Sequence, residues 1–231
     1  MELVLVRHGQ PAWADPAGRA RNDPGLTPLG RRQAAVLAQR LTAPAAPPIN
    51  GLVASTAVRA RETAAPIAAA SGLEPEVHTW LTEIQLPPEW EGTPEEDVGR
   101  TLADLRLRER DEWWDGAPGG ESFHDFHARV TGGVDGFLAD HGVGRHPVEP
   151  EHLWMVPEDA PRLVVVAHAG TNSVLLGHLL GVEPQPWEWE RFATDHASVT
   201  VLRAVPIAGG HIWSLQYFSD VAHLDGLTVT A

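Results

Sequence analysis

The apolar positions of this chain fall into short unbroken runs separated by stretches of helical period, the alternation expected of an α/β fold. Residues 2–6 form a β-rich apolar run that stops at Arg7-His8-Gly9, which predicts a first strand buried on both faces. The period then changes. Thr27 is a candidate N-cap and Pro28 suits the first helical position. Ala34, Leu37, Ala38 and Leu41 recur at helical spacing until the proline-rich residues 43–48 end the helix. Residues 50–55 predict a second strand, and 57–71 an Ala-rich helix that holds Pro66 and is stopped by Gly72.

Residues 80–120 break this rhythm. They hold Trp80, Trp90, Trp113 and Trp114, and they end in the turn-forming Ala117-Pro118-Gly119-Gly120. Between Glu83 and Glu121 twelve acidic residues face four Arg, a local charge of about −8, and the stretch is expected to be a cap-like excursion from the core. A helix over 94–110 and a longer one over 121–140 are expected, the latter weakened by Gly132, Gly133 and Gly136. Residues 141–161, with four prolines and little periodicity, read as a surface loop. Residues 162–168 give the clearest strand of the chain and end at His168. A helix over 171–180 closed by Gly181 follows, and then a hairpin of 198–205 and 211–218 joined across Ala208-Gly209-Gly210. The expected architecture is a three-layer α/β/α domain over 1–231 with a mainly parallel sheet. The C-terminal antiparallel hairpin lies at one edge of that sheet, and the excursion at 80–120 is inserted.

Composition narrows the chemistry. The chain has 231 residues, of which 43% are hydrophobic and 21% charged, so it can bury a core and is neither disordered nor fibrous. All seventeen basic residues are Arg; there is no Lys and no Cys. A Walker P-loop, a Schiff base, a thiol nucleophile and a Cys-ligated metal are therefore excluded. The net charge of −14 argues against nucleic acid and anionic lipid as partners. The first apolar run is too short for a signal-peptide core and nothing approaches a membrane span, which gives a cytoplasmic expectation. The sequence carries no signal for an oligomeric state.

Two strands end in histidine, at Arg7-His8-Gly9 and His168-Ala169-Gly170. In an open α/β sheet ligands bind beyond the carboxyl ends of the strands, so if these two are neighbours both imidazoles lie at one rim. Arg59, one helical turn after the second strand, reaches the same rim. Two His and two Arg in so acidic a protein describe a phosphoryl pocket. Arg offers paired donors to phosphate oxygens, and a neutral imidazole can attack phosphorus. His124, His127 and His152 lack the spacing of zinc ligands, and Arg61 and Arg129 read as surface or ion-pairing residues.

Taken in order, Leu5-Val6-Arg7-His8-Gly9, the stretch from Asp23 to Ala34, Arg59-Ala60 with Thr63-Ala64, Gly120-Glu121-Ser122, His168-Ala169-Gly170 and Ala222-His223-Leu224 resemble the histidine phosphatase (phosphoglycerate mutase-like) superfamily over almost the whole chain. The resemblance implies His8 as nucleophile, with Arg7, Arg59 and His168 binding the phosphate, and it implies no metal and no cofactor. Where some branches place a proton-donating Asp two residues after the nucleophile, this chain has Gln10. Other branches use a Glu at the position matched by Glu83, which makes Glu83 the expected general acid, with Glu89 and Glu91 as rivals. The expected reaction is hydrolysis of a small phosphate monoester, a sugar phosphate or similar. The alternatives are phosphoglycerate mutase-type transfer and a non-catalytic phosphoester-binding module. Ala14 in place of the Asn usual in mutases, Ala169-Gly170 after the second His, the absence of Lys and a single Tyr, Tyr217, count against the mutase. Retention of His8 and His168 counts against the module. The tryptophans of the excursion are expected either to roof the substrate or to pack the excursion onto the core.

Overall fold

A computed structural model describes residues 1–151 and 153–231; His152 lies outside them. The chain begins with β1 (Glu2–Arg7), whose apolar residues alternate between two cores. Leu3 and Leu5 pack on one face of the sheet, and Val4 and Val6 on the other. That is the period-2 geometry of a strand buried on both sides. Helix α1 (Pro28–Leu41) starts where Thr27 Oγ1 accepts from the Gly30 N–H at 3.0 Å, and it buries Ala34, Leu37, Ala38 and Leu41. Strand β2 (Gly51–Ser55), helix α2 (Val58–Ser71) and strand β3 (Glu76–His78) follow, α2 ending at Gly72 in the left-handed conformation, φ 75°.

After β3 the chain makes short 3-10 turns at Thr79–Leu81, Pro88–Trp90 and Arg110–Glu112 around helix α3 (Glu95–Leu105). Helix α3 is shorter than its expected 94–110, since beyond Leu105 the run from Arg106 to Glu112 is charged apart from Leu107, which stays exposed, so it has no apolar face to pack. Helix α4 (Phe123–Asp140) is uninterrupted by its glycines, and at one of them the reason is packing. A Cβ on Gly133 would lie 2.3 Å from Trp80 Cγ, so this glycine admits the indole that anchors the start of the excursion. Trp114 likewise packs inward, stacked on His124 with centroids 4.7 Å apart and edge-on to His127.

Residues 141–161, expected as a loop, contain two short strands, β4 (Gly144–Arg145) and β5 (Trp154–Met155). Strands of two residues leave no periodicity to read. Their anchor is tertiary: buried Trp154 packs edge-on to Trp213 and carries the Arg145 guanidinium 3.8 Å from its ring centroid. Strand β6 (Arg162–Ala167), helix α5 (Ala169–Leu180), the single-turn α6 (Glu188–Arg191) and the hairpin β7 (Val199–Ile207) and β8 (Gly210–Asp220) complete the fold. The eight-stranded sheet runs β3-β2-β6-β1-β7-β8-β5-β4. The first four strands are parallel, and the pairings from β1–β7 onward are antiparallel. The hairpin thus adds to the β1 edge of the parallel half and is itself extended by β5 and β4. One core joins α4 and α5 to the sheet and the other joins α1 and α2, giving helices on both faces.

Candidate active site

Strands β1 and β6 are paired in register up to Arg7 opposite Ala167, and the His8 N–H donates to the Ala167 carbonyl at 3.0 Å. The two strand-ending histidines therefore emerge side by side, with ring centroids 5.1 Å apart. Both are buried, His8 at 3% and His168 at 0% exposure. Gly9 makes the turn after β1 possible: a Cβ there would sit 2.6 Å from the Gly30 carbonyl oxygen at the start of α1. The Gly9 N–H donates to Thr63 Oγ1 at 3.0 Å, and Thr63 donates back to the Arg59 carbonyl at 2.8 Å. This explains why the Arg59 motif carries a Thr one helical turn later.

His8 Nδ1 lies 2.8 Å from the Gly9 carbonyl oxygen, which can only accept. The ring proton is therefore on Nδ1, and Nε2 keeps its lone pair, to which Arg59 Nε donates at 3.3 Å. Burial, with help from His168 and the Arg59 charge, holds the His8 pKa well below the usual histidine value, so the ring is neutral at neutral pH. His168 is depressed in the same direction, by burial first and then by Arg59 and Arg7. Its Nε2 lies 2.9 Å from Ser55 Oγ at the end of β2, and its Nδ1 has no partner among the described residues.

The two arginines reach the histidines from opposite elements. Arg59, near the start of α2, lies 3.5 Å from Asp23 Oδ1 and packs on Trp13, 4.8 Å from the ring centroid. The same Asp23 oxygen accepts from the Val58 N–H at 2.9 Å, capping α2. Arg7 donates to the Thr194 carbonyl and, at 3.1 Å, to His196 Nε2. His196 was not legible as a site residue, because it belongs to no strand-end motif and joins the cluster only through the chain before β7. Its ring stands 5.5 Å from that of His8, and burial with the Arg7 charge pushes its pKa down to about 3. The neutral ring bonds through Nδ1 to Thr230, so it can accept from Arg7 and fix that guanidinium.

Glu83 belongs to the same cluster. Its Oε2 accepts from the Gly170 N–H at 2.9 Å and its Oε1 from the Ile84 N–H at 3.1 Å. Removal from water raises its pKa, against the pull of these two bonds and of the Arg59 and Arg7 charges. The loop carrying it is fastened by Arg129 of α4. That guanidinium grips both Glu121 carboxylate oxygens at 2.8 and 2.7 Å and donates to the carbonyls of Trp80 and Thr82, each at 3.1 Å. Arg129 is thus an ion-pairing residue, and its pair supports Glu83. The rivals lie elsewhere. Glu91 accepts from the Asn22 N–H at 2.7 Å, and Glu89 is exposed beside Gly119. Gln10 accepts from Thr27 Oγ1 at 2.7 Å, closing the loop onto α1. His223 of the terminal motif contacts Arg40 of α1 at 3.0 Å.

A cavity of about 560 Å³ opens over this cluster, with Arg7, Arg59 and Glu83 in its lining. Trp187 and Trp189 in its wall come from the segment around α6, so aromatic residues outside the excursion enclose the site.

A fold with this sheet order and a His-Arg-Glu cluster at the carboxyl ends of its parallel strands defines a phosphoryl-handling class. The sequence model of the histidine phosphatase superfamily (branch 1) matches residues 3–210, and the chain belongs to that family. It is similar to the probable phosphoglycerate mutase GpmB of Yersinia enterocolitica, 27% identical over 97% of this chain and 95% of that protein. Among solved structures, a mycobacterial glucosyl-3-phosphoglycerate phosphatase is 29% identical with a TM-score of 0.68, covering 94% of this chain and 98% of that one. The fold is shared with a phosphoserine phosphatase of Entamoeba histolytica, 21% identical with a TM-score of 0.66 over 96% and 98% of the two chains. Among the described residues no helix is long and apolar enough to cross a membrane.

Proposed function

We propose that the protein is a metal-independent phosphomonoesterase that works through a phosphohistidine at His8 on a small phosphorylated metabolite. The observation that carries this reading is the state of His8. It is a buried neutral imidazole whose Nδ1 is bonded to a backbone carbonyl, whose Nε2 lone pair faces the Arg59 Nε at 3.3 Å, and whose ring stands 5.1 Å from that of His168.

In the first step Nε2 attacks phosphorus and the bond from phosphorus to the ester oxygen breaks. Glu83, whose raised pKa favours its protonated form, gives its proton to the departing alkoxide. Arg7, Arg59 and His168 Nδ1 hold the phosphoryl oxygens, supplying the positive charge and donors on which transfer depends. In the second step the Glu83 carboxylate takes a proton from water, whose oxygen attacks the phosphohistidine. Inorganic phosphate leaves and neutral His8 is restored. Two fixed guanidinium groups already supply the charge that a metal ion provides in other phosphatases, which is why the mechanism needs none.

The name of the curated relatives favours a second reading, transfer of the phosphoryl group back to another hydroxyl of the same molecule. One experiment addresses both. Enzyme mixed with p-nitrophenyl phosphate and quenched in alkali should retain base-stable, acid-labile phosphate on the wild type and none on a folded His8→Ala variant, with phosphate release unaffected by EDTA. Normal turnover by His8→Ala would overturn the mechanism, and an isomerised ester with no phosphate released from 3-phosphoglycerate would establish the mutase.

A further inference from the structure

The substrate end of the cavity is built differently from its phosphate end. Away from Arg7 and Arg59 the walls are Leu102 and Leu105 of α3, Phe123 at the start of α4, Trp187 and Trp189, with Trp13 beside Arg59. Three of these rings form one surface: Phe123 lies 5.0 Å from Trp187 and 5.7 Å from Trp189, and the two indoles are 5.3 Å apart, edge to face. Trp187 is held there in the left-handed backbone region, φ 59°, an uncommon conformation for a bulky side chain.

Several polar groups on these walls are already bonded within the protein, while Thr56 and Gln85 add polar side chains to the lining. Arg106, the one lining cation besides Arg7 and Arg59 among the described residues, is paired with Glu190 and lies over Trp187, 5.4 Å from its centroid. Asn22 Nδ2 donates to the Pro87 carbonyl at 3.1 Å, Asp23 caps α2, and Glu121 is gripped by Arg129. Beyond Arg7 and Arg59, a leaving group bearing a carboxylate or a second phosphate would therefore meet only a cation already paired, with the carboxyl groups of Asp23 and Glu121 in the same lining. A polyhydroxylated one would set those of its hydroxyls that face α3 and the Phe123–Trp187–Trp189 surface against leucine and aromatic rings, where their lost hydration is not replaced.

Resting on the phosphatase reading of the same site, we infer that the enzyme is specific for phosphate monoesters of uncharged, apolar alcohols carrying an aromatic or branched hydrocarbon group, which packs between Leu102, Leu105 and the Phe123–Trp187–Trp189 surface. The cavity's 560 Å³ has room for such a group, because a ring placed there packs against the leucines of α3 and the aromatic surface while the phosphate stays on Arg7 and Arg59.

The test compares kcat/KM for benzyl phosphate with that for glycerol 3-phosphate, glucose 6-phosphate and phosphoserine, all alkyl esters needing a protonated leaving group. Acetyl phosphate serves as a donor too small to reach the apolar wall. Benzyl phosphate should exceed each polar ester by on the order of 10²-fold, the discrimination an apolar pocket gives for a buried ring. Leu102→Asn, at a half-buried position that tolerates a polar residue, should lower the ratio of benzyl to acetyl phosphate about tenfold. Hydrolysis of acetyl phosphate together with equal or better hydrolysis of a polar ester would overturn this inference and leave the phosphatase reading standing. Failure to hydrolyse any of them, acetyl phosphate included, would overturn both.

Discussion

The Gly170 N–H donates to Glu83 Oε2 at 2.9 Å, seating the carboxyl group against the first turn of α5, the helix that His168 opens. The approach is open only because residue 170 has no side chain: a Cβ would lie 2.4 Å from Glu83 Oε1 and 2.8 Å from the Trp189 ring. Gly170→Ala should therefore displace Glu83 without touching His8 or either arginine. Turnover of alkyl esters should fall by about 10- to 10²-fold, the scale of a misplaced catalytic group. Steady-state kinetics beside a thermal melt would check this, and an unchanged kcat would show that Glu83 needs no such seat.

The donor role itself is tested by leaving groups. Glu83→Gln should depress turnover of an alkyl monoester by about 10²- to 10⁴-fold but that of p-nitrophenyl phosphate far less, because nitrophenolate leaves without a proton. Equal losses on both esters would mean that the carboxyl group only supports the loop.

Arg129 should behave as a positioning residue for Glu83. Arg129→Ala leaves the largely buried Glu121 carboxylate without its bidentate partner and frees the carbonyls of Trp80 and Thr82. We expect a stability loss of about 2–3 kcal/mol, as for a broken, well-shielded charge pair. The kinetic defect should be larger for alkyl than for p-nitrophenyl esters, mirroring Glu83→Gln. A purely structural arginine would lower the melting temperature and leave that ratio where it was.

Acid should destabilise the fold through its buried imidazoles. His8, His168 and His196 all have folded-state pKa values below the ordinary 6.5, His196 at about 3. Between the folded and unfolded values the unfolded chain binds the extra protons, so stability is fully present above about pH 6.5 and is lost as the pH falls. Each such ring contributes a loss of about 1.4 kcal/mol per pH unit through that window. Glu83, with its pKa raised, acts in the opposite sense between its unfolded and folded values and offsets part of this. Urea midpoints measured from pH 7 to pH 5 should fall, and His196→Asn should flatten the slope. A midpoint that rose on acidification would contradict the neutral state assigned to these rings.

The sequence by itself determined the local elements and the residue types at their ends. Apolar runs marked β1, β2 and β6, helical spacing with Thr27, Gly72 and Gly181 at the boundaries marked α1, α2 and α5, and Arg7-His8 and His168 stood where β1 and β6 stop. These signals are local, because backbone period and capping act over a few residues. The two-residue strands β4 and β5 were not legible, since what holds them is Trp154 against Trp213, a contact across 59 positions of sequence. Tertiary structure alone decided that β1 pairs with β6, which brings His8 beside His168, and that the chain before β7 brings His196 to Arg7. It also decided that Trp187 and Trp189, rather than the tryptophans of the excursion at 80 and 114, wall the cavity. Charge, tautomer and pKa in the site follow from burial and from partners far apart in the chain, and no window of sequence contains them.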